Sequence, residues 1–346
     1  MGRLLANYPS DAMYRESEED IYDSAFIEQI ENICPYKLHL NFYGCHVYIR
    51  SPSMVIQSDF EFIFEMFLSS HKDITNENKI DFFFLIETNH NKSELQHKYL
   101  KDLSWIIANY CHDDLIKTIY RKVKTRFTKI QRYDKWPTDT MVIPPFNIEP
   151  LKSNFLVIEG NSLTNKKGEV CLIIGDWWQG KTTLTSLLLS MDYSFLSDGL
   201  IVINRKTRVV NPYNTLCAFR YYNIPELGDF GNAIVQHPKT IQVESPNTGL
   251  IYLNHFSNFF PIKYSKMSSP SFIVICEKDK TLNHIKKLNM KDFILKAWNF
   301  RVECGLNRND FFQEMLSLYE EASCFSLKYS SLSKGASILD SVFRQA

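Results

Sequence analysis

The chain has 346 residues, which exceeds the usual size of one compact domain and predicts two, each with enough apolar side chains for its own core. Lys plus Arg equal Asp plus Glu at 39 each, so there is no overall basic field to attract nucleic acid or an anionic membrane. Charged partners of that kind are therefore excluded unless positive charge is clustered locally.

The eight cysteines are scattered, with no C-x-x-C pair, and several lie inside apolar runs. This pattern is typical of small core residues in a reducing compartment rather than of disulfides. No stretch is long and apolar enough to cross a bilayer, and the first twenty residues lack the apolar region of a signal peptide. We therefore expect a cytoplasmic protein with no membrane or nucleic acid among its partners.

The first 150 residues predict a mixed α/β accessory domain. Aromatic and β-branched residues predict strands within 38–50 and 80–87, and helical spacing of apolar residues predicts helices within 59–68 and 94–110. Pro and polar residues recur between 132 and 151 and interrupt regular structure. We place the domain boundary there, with an accessory domain at 1–150 and a catalytic domain at 151–346.

A basic segment closes the first domain, and its apolar residues recur at roughly helical spacing. Its cations are Lys117, Arg121, Lys122, Lys124, Arg126, Lys129 and Arg132. The pattern predicts a helix with a solvated face, and the alternative is a patch that binds anions or grips a substrate.

The second domain alternates short apolar runs with one strong helix at 181–191. The runs, which are typical of buried strands, are 155–159, 169–175, 193–196, 200–204 and 272–276. This order predicts an α/β nucleotide-binding core.

A phosphate-binding loop follows the second of these strands and fits G-x-x-x-x-G-K-[ST]. In such a loop, backbone amides ring a phosphate, Lys181 reaches the β- and γ-phosphate oxygens, and the Thr182 hydroxyl binds Mg²⁺. The strand before the loop and the helix after it are the context that this motif requires. The residues expected to contact ATP are Gly175, Asp176, Trp177, Trp178, Gln179, Gly180, Lys181, Thr182 and Thr183.

The two tryptophans are unusual in a loop where small residues normally let the backbone close around a nucleotide. Trp177 or Trp178 could stack on a base or substrate, and the favoured alternative is packing against the first domain.

An acidic residue, Asp198, lies between two predicted strands beyond the helix, where ligands usually bind in such sheets. A carboxylate there can hold Mg²⁺ or accept a proton from a substrate hydroxyl. The alternative is a turn residue, because Ser-Asp-Gly is ordinary turn chemistry.

The stretches YSFLSDGLIVI and VVNPYNTLCAFR, together with the loop, resemble the HPr kinase/phosphorylase superfamily. Within it they are most similar to HPr-kinase-like enzymes found beside peptide natural products, including kinases of lasso-peptide precursors. Asp198 and Pro212 match the family's acidic residue and Pro-containing turn, and ASCFSLKYSSLSKGASIL resembles its terminal strand and helix. The resemblance covers 155–343 and implies a P-loop core of the HPr kinase/phosphoenolpyruvate carboxykinase-like type with an N-terminal α/β accessory domain.

The resemblance also implies residue roles, with two departures. Asp198 would be the general base and a metal ligand, with Lys181 and Mg²⁺ stabilising the transferred charge. The family's second Asp is Gly199 here, and its upstream His is missing from 155–162, where Glu159 lies nearest to the vacant place. Glu159 could replace that His, although a residue that merely ends a strand is the alternative.

Transfer of a γ-phosphate needs additional positive charge, and candidates for phosphate or substrate contact are Arg220, Arg301 and Lys278. No zinc-ligand spacing and no G-x-S-x-G nucleophile elbow occur. The resemblance implies an ATP-dependent kinase that phosphorylates serine on a ribosomal peptide or small protein. Because full-length members of the family assemble as oligomers, the resemblance also leaves a homo-oligomer open. The alternatives are a kinase of a small-molecule hydroxyl, and an ATP-binding sensor or scaffold with weakened catalysis.

Overall fold

A computed structural model describes residues 15–16, 22–69, 79–88, 103–111, 115–131, 151–246, 248–260, 268–302 and 305–345. The chain divides into two compact units, 1–145 and 146–346, and the boundary expected after residue 150 lies outside the described residues. No helix in the described ranges is long and apolar enough to cross a membrane.

The first unit contains a mixed sheet with helices. Its elements are β1 (Arg15–Glu16), α1 (Ser24–Ile33), β2 (Tyr36–Phe42), β3 (Cys45–Ser51), α2 (Met54–Ile63), β4 (Lys79–Thr88), α3 (Trp105–Cys111), β5 (Leu115–Val123) and β6 (Arg126–Gln131). The strand order is β1-β6-β5-β4-β3-β2, with β3 and β4 parallel and the other neighbours antiparallel. The mixed α/β prediction for this part of the chain is confirmed.

The helix boundaries of this unit differ from the sequence prediction. Helix α2 begins well before residue 59 because the Ser53 hydroxyl accepts a hydrogen bond from the Ile56 N–H and caps it. Helix α3 covers the end of the predicted helix at 94–110, and 94–102 lies outside the described residues.

The helix predicted for the basic segment is wrong. Residues 115–131 form the antiparallel hairpin β5–β6, with a turn at Lys124, whose φ is 55°. Strand β5 also pairs along its whole length with β4. Backbone pairing and the burial of Tyr120 and Phe127 against α1 therefore override the helical spacing of the side chains.

The second unit contains most of the predicted strands. Its elements are β7 (Phe155–Thr164), β8 (Val170–Ile174), α4 (Lys181–Leu189), β9 (Ser194–Ser197), β10 (Leu200–Asn204), β11 (Val210–Asn211), β12 (Cys217–Arg220), α5 (Asp229–Gln236), β13 (Ile241–Ser245), β14 (Gly249–Asn254), β15 (Pro270–Lys278), β16 (His284–Lys287), α6 (Met290–Ala297), α7 (Arg308–Glu321), β17 (Ser323–Tyr329) and α8 (Leu332–Gln345). The five predicted strands and the helix at 181–191 are confirmed within a few residues at their ends.

The main sheet of this unit has the order β11-β10-β7-β8-β15-β17-β16, and β9 also pairs with β7. Strands β8, β15 and β17 are parallel, so their carboxyl ends lie at one edge. Apolar clusters cover both faces, one with α4 and α8 and the other with α6 and α7. Burial of every residue of β8 explains its continuous apolar sequence.

Six cysteines whose side chains the structure describes are buried free thiols, as predicted. They are Cys34, Cys45, Cys171, Cys217, Cys276 and Cys324. Burial raises the pKa of Cys45 to about 12, which keeps it protonated and unreactive.

Candidate active site

The phosphate loop joins the buried end of β8 to the first turn of α4. Gly180 has a φ of 80°, and a Cβ added to it would lie 2.5 Å from Leu332 Cδ2. A Cβ at Gly175 would lie 2.6 Å from the carbonyl oxygen of Cys276. Both glycines of the motif are therefore required by the backbone path itself.

Neighbouring strands hold the loop from the same edge of the sheet. The Tyr329 hydroxyl, at the end of β17, donates to the Gln179 carbonyl. The backbone N–H of Lys278, at the end of β15, donates to the Gln179 side-chain oxygen. Because β8, β15 and β17 are parallel, their ends deliver these contacts to one place.

Lys181 lies over the loop that precedes it. Its ammonium donates to the carbonyls of Gly175 at 2.6 Å and Asp176 at 3.2 Å, and pairs with the Glu159 carboxylate at 3.3 Å. The side chain is only 11% exposed. The only positive charge that the motif supplies is thus held at the mouth of the loop, next to a carboxylate from β7.

Asp198 and Thr182 form the second part of the site. The Thr182 hydroxyl lies 3.0 and 3.3 Å from the two carboxylate oxygens of Asp198, which is buried in the turn between β9 and β10. The structure therefore brings together the two side chains that the sequence assigned to a metal ion.

Asn161 is a residue of this site that the sequence reasoning missed. Its side-chain NH₂ donates to the Asp198 carboxylate and, at 3.0 Å, to the Thr185 hydroxyl, while its oxygen accepts the Gly199 N–H at 3.2 Å. The available signal was that Asn161 comes two residues after Glu159 in β7, because alternate residues of a strand share a face.

The surroundings of Asp198 raise its pKa above the usual range, and burial is the cause. Hydrogen bonds from Thr182, Cys217 and Asn161 and the charge of Lys181 oppose that effect without cancelling it. A carboxylate in such a place gains most from a cation, because the cation restores the ionised form.

The two loop tryptophans have separate contacts. The Trp177 indole N–H donates to the second oxygen of Glu159 at 3.1 Å. Trp178 is half exposed, and the Arg220 guanidinium carbon lies 3.5 Å from its ring centroid. Its φ of 70° is a strained conformation for a bulky residue. Packing of either tryptophan against the first unit stays a prediction.

Of the remaining predicted residues, Thr183 and Arg220 lie at the loop, and Arg301 pairs with β7 at Ile158. Thr183 Oγ1 accepts a hydrogen bond from Asn223 at 3.3 Å. Arg220 lies beside the loop through its stack on Trp178. Arg301 bridges Ile158 by its backbone, and its guanidinium packs on Trp298 at 5.1 Å.

The residues present fit a magnesium nucleotide. The Thr182 hydroxyl and the Asp198 carboxylate are hard oxygen donors of the kind that Mg²⁺ prefers. In the described part of the chain, no group of three or more His, Cys, Asp or Glu side chains could hold a metal ion by itself.

No protein-family model and no curated relative matches the chain. Among solved structures, the HPr(Ser) kinase/phosphatase from Coxiella burnetii is similar at 10% sequence identity and a TM-score of 0.27. The match covers 55% of this chain and 91% of that one.

Proposed function

We propose that the protein binds ATP with Mg²⁺ at the loop from Gly175 to Thr182 and transfers the γ-phosphate to a hydroxyl. The observation that carries this proposal is the convergence of Lys181, Thr182 and Asp198 at the start of α4. Lysine, hydroxyl and carboxylate are the three side-chain parts that phosphate-loop enzymes use. The helix adds the positive end of its dipole at the same point.

Lys181 is the first residue of the proposed machinery. On binding of ATP, its ammonium would exchange the carbonyls of Gly175 and Asp176 for β- and γ-phosphate oxygens. A charge-assisted bond to phosphate is stronger than one to a neutral carbonyl, which favours the exchange.

Thr182 and Asp198 would hold the magnesium ion, which neutralises charge on the phosphate oxygens during transfer. Asn161 would keep the Asp198 carboxylate turned toward Thr182. The contact explains why a buried acid can lie at this position without a cationic partner of its own.

The acceptor hydroxyl would lose its proton to a carboxylate as its oxygen bonds to the γ-phosphorus and the bond from that phosphorus to the β,γ-bridging oxygen breaks, releasing ADP. Asp198 is the proposed acceptor of that proton. Glu159, which is 21% exposed and lies against Lys181, is the second carboxylate within the site.

Arg220 would add positive charge beside the loop. Stacking on Trp178 fixes the direction of its guanidinium, so that less freedom is lost when it contacts a phosphate or substrate. Arg301 is retained as a second proposed substrate contact.

The proposed acceptor is serine on a ribosomal peptide or small protein, which rests on the sequence resemblance of 155–343, as does a homo-oligomeric state. The proposed cytoplasmic location rests on the scattered cysteines of the sequence, which have no C-x-x-C pair. Phosphorylation of a small-molecule hydroxyl would use the same residues.

A second candidate function is ATP binding without transfer, as a sensor or scaffold. The observation that favours it is Gly199, whose φ of 81° and hydrogen bond to Asn161 suit glycine at the place of a second Asp. With a single acidic residue in this turn, the site could bind nucleotide and catalyse poorly.

The test is intact-mass detection of phosphate on a serine-containing peptide incubated with Mg-ATP and the full chain. The kinase proposal predicts an added phosphate with the native protein and with Asp229→Asn, an exposed carboxylate outside the site. It predicts none with Lys181→Ala or Asp198→Asn. ATP binding without transfer to peptides or small alcohols would instead favour the sensor.

A further inference from the structure

One face of the sheet in the first unit carries a cluster of polar and charged residues. We call it the Tyr48 face and define it by Lys37, His39, His46, Tyr48, Arg50, Lys79 and Asp81. Strand register places them side by side, with Lys37 opposite Arg50, His39 opposite Tyr48, Tyr48 opposite Asp81, and His46 opposite Lys79. Intervening residues such as Leu38, Val47 and Ile49 are buried on the other face.

The Tyr48 ring is the centre of this cluster. The ammonium of Lys37 lies 3.9 Å from the ring centroid, and that of Lys79 lies 5.1 Å from it. The His39 ring stacks on the same tyrosine at 4.7 Å. Cation–π contacts hold the two lysines near one another in spite of their like charges.

The cluster has more positive than negative charge. Asp81 accepts from Arg50 at 2.9 Å and pairs with Lys79 at 3.0 Å. Two of the three cations thus pair with Asp81, and the third, Lys37, lies over the Tyr48 ring, so the described residues of the cluster hold three cations and one carboxylate. The neighbouring Lys122 pairs with Glu31 of α1, so this ion pair adds no net charge to the cluster.

The excess of positive charge affects the pKa of one lysine in the cluster. The pKa of Lys37 is lowered, first by burial and then by the charges of Arg50 and Lys79, while Asp81 opposes the shift. His39 Nε2 and His46 Nδ1 lie 3.0 Å apart, so one nitrogen carries the shared proton and the other accepts it. This contact adds polar ring edges to the face and does not relieve its charge.

We propose that the Tyr48 face binds a phosphoryl group, either free phosphate or the phosphate of a small organic molecule. A phosphoryl group carries nearly two negative charges at neutral pH and three acceptor oxygens, which match an excess of two positive charges. The cations are already ordered by Tyr48 and Asp81, so less side-chain freedom is lost on binding. All seven residues of the site belong to the first unit.

The experiment is isothermal titration calorimetry on the full chain carrying Lys181→Ala, which weakens phosphate binding at the loop. The probes are inorganic phosphate, O-phosphoserine and acetate. In this background, Lys37→Gln removes a cation that makes no hydrogen bond to Asp81, and Lys79→Gln removes one that does. Lys124→Gln, at the exposed turn of β5–β6, is the matched control for charge.

We expect saturable binding of both phosphoryl probes, and weaker binding of acetate. Loss of one charge-assisted contact should weaken phosphate binding about tenfold in Lys37→Gln and Lys79→Gln, and leave it unchanged in Lys124→Gln. If inorganic phosphate binds more tightly than O-phosphoserine, the ligand is free phosphate. If O-phosphoserine binds more tightly, the ligand is the phosphate of an organic molecule. Absence of saturable binding, equal binding of acetate, or equal affinity of all three variants would overturn the proposal.

Discussion

The side-chain amide of Asn161 donates a hydrogen bond to the carboxylate of Asp198. The contact joins β7 to the turn between β9 and β10, and the oxygen of the same amide accepts the N–H of Gly199. Both the NH₂ and the oxygen of the Asn161 side chain are thus engaged, and the NH₂ also donates to the Thr185 hydroxyl of α4.

Replacement of Asn161 by alanine should move the pH dependence of transfer. Burial already raises the pKa of Asp198, and removal of a hydrogen bond to its charged form raises it further. Because the ionised carboxylate is required, activity is present above that pKa and is lost as pH falls through it. The acid limb of the pH–rate profile should therefore shift to higher pH.

The matched control for that profile is Asn232→Ala, which removes an exposed amide on α5. Its acid limb should coincide with that of the native protein. An Asn161→Ala profile that only decreases in height, with its acid limb in place, would contradict the positioning role of this amide.

The difference between what the sequence predicted and what it missed has a physical basis. The residues from Gly175 to Thr182 act through a local backbone path, so the motif alone predicts the strand, loop and helix. Asn161 reaches Asp198 only because β7 is paired with β9 and β10. That pairing joins residues 37 positions apart, which no local pattern contains.

Backbone strain at Trp178 gives a prediction that can be checked by urea denaturation. Trp178→Gly should be more stable than Trp178→Ala by about 1 kcal/mol, because only glycine adopts the positive φ at no cost. Both variants lose the Arg220 stack equally, so their difference isolates the backbone. An alanine variant at least as stable as the glycine variant would disprove the strain.

The close approach at Gly180 predicts a larger effect. Gly180→Ala should lower the free energy of unfolding by about 1–3 kcal/mol, because its Cβ would meet Leu332 at 2.5 Å and the backbone has a positive φ. Thermal unfolding would measure it. In the double variant with Leu332→Ala, the steric part of the loss should disappear; equal losses in both backgrounds would exclude the clash as its cause.

Glu159 pairs with Lys181, so it should compete with a phosphate group for that lysine, and neutralising Glu159 should raise the affinity for ATP. Glu159→Gln should bind ATP about two- to fivefold more tightly, since a partly buried ion pair of this kind contributes up to about 1 kcal/mol. Calorimetry would measure the affinity, with the exposed Glu244→Gln as control. Weaker ATP binding would indicate that Glu159 helps to hold the nucleotide.

The basic segment, 117–132, is a case in which a sequence pattern predicted the wrong secondary structure. Its apolar residues recur at roughly helical spacing, and yet β4 offers β5 a complete row of backbone partners from Ile80 to Thr88. Lys37, Arg50 and Lys79 of the Tyr48 face come from three strands. Their positive charges come together only in the folded sheet. The net charge of the whole chain is zero and gives no sign of this local excess.

The most direct test of the central claim is the affinity of the full chain for ATP, measured by calorimetry with Mg²⁺ and with a chelator. One ATP should bind per chain, with a loss of about tenfold or more without Mg²⁺ and in Lys181→Ala. Lys206→Gln, an exposed lysine beyond the far end of β10 from Asp198, should bind as the native protein does. Equal affinity in Lys181→Ala, or no effect of Mg²⁺, would contradict a functional phosphate loop at Gly175 to Thr182.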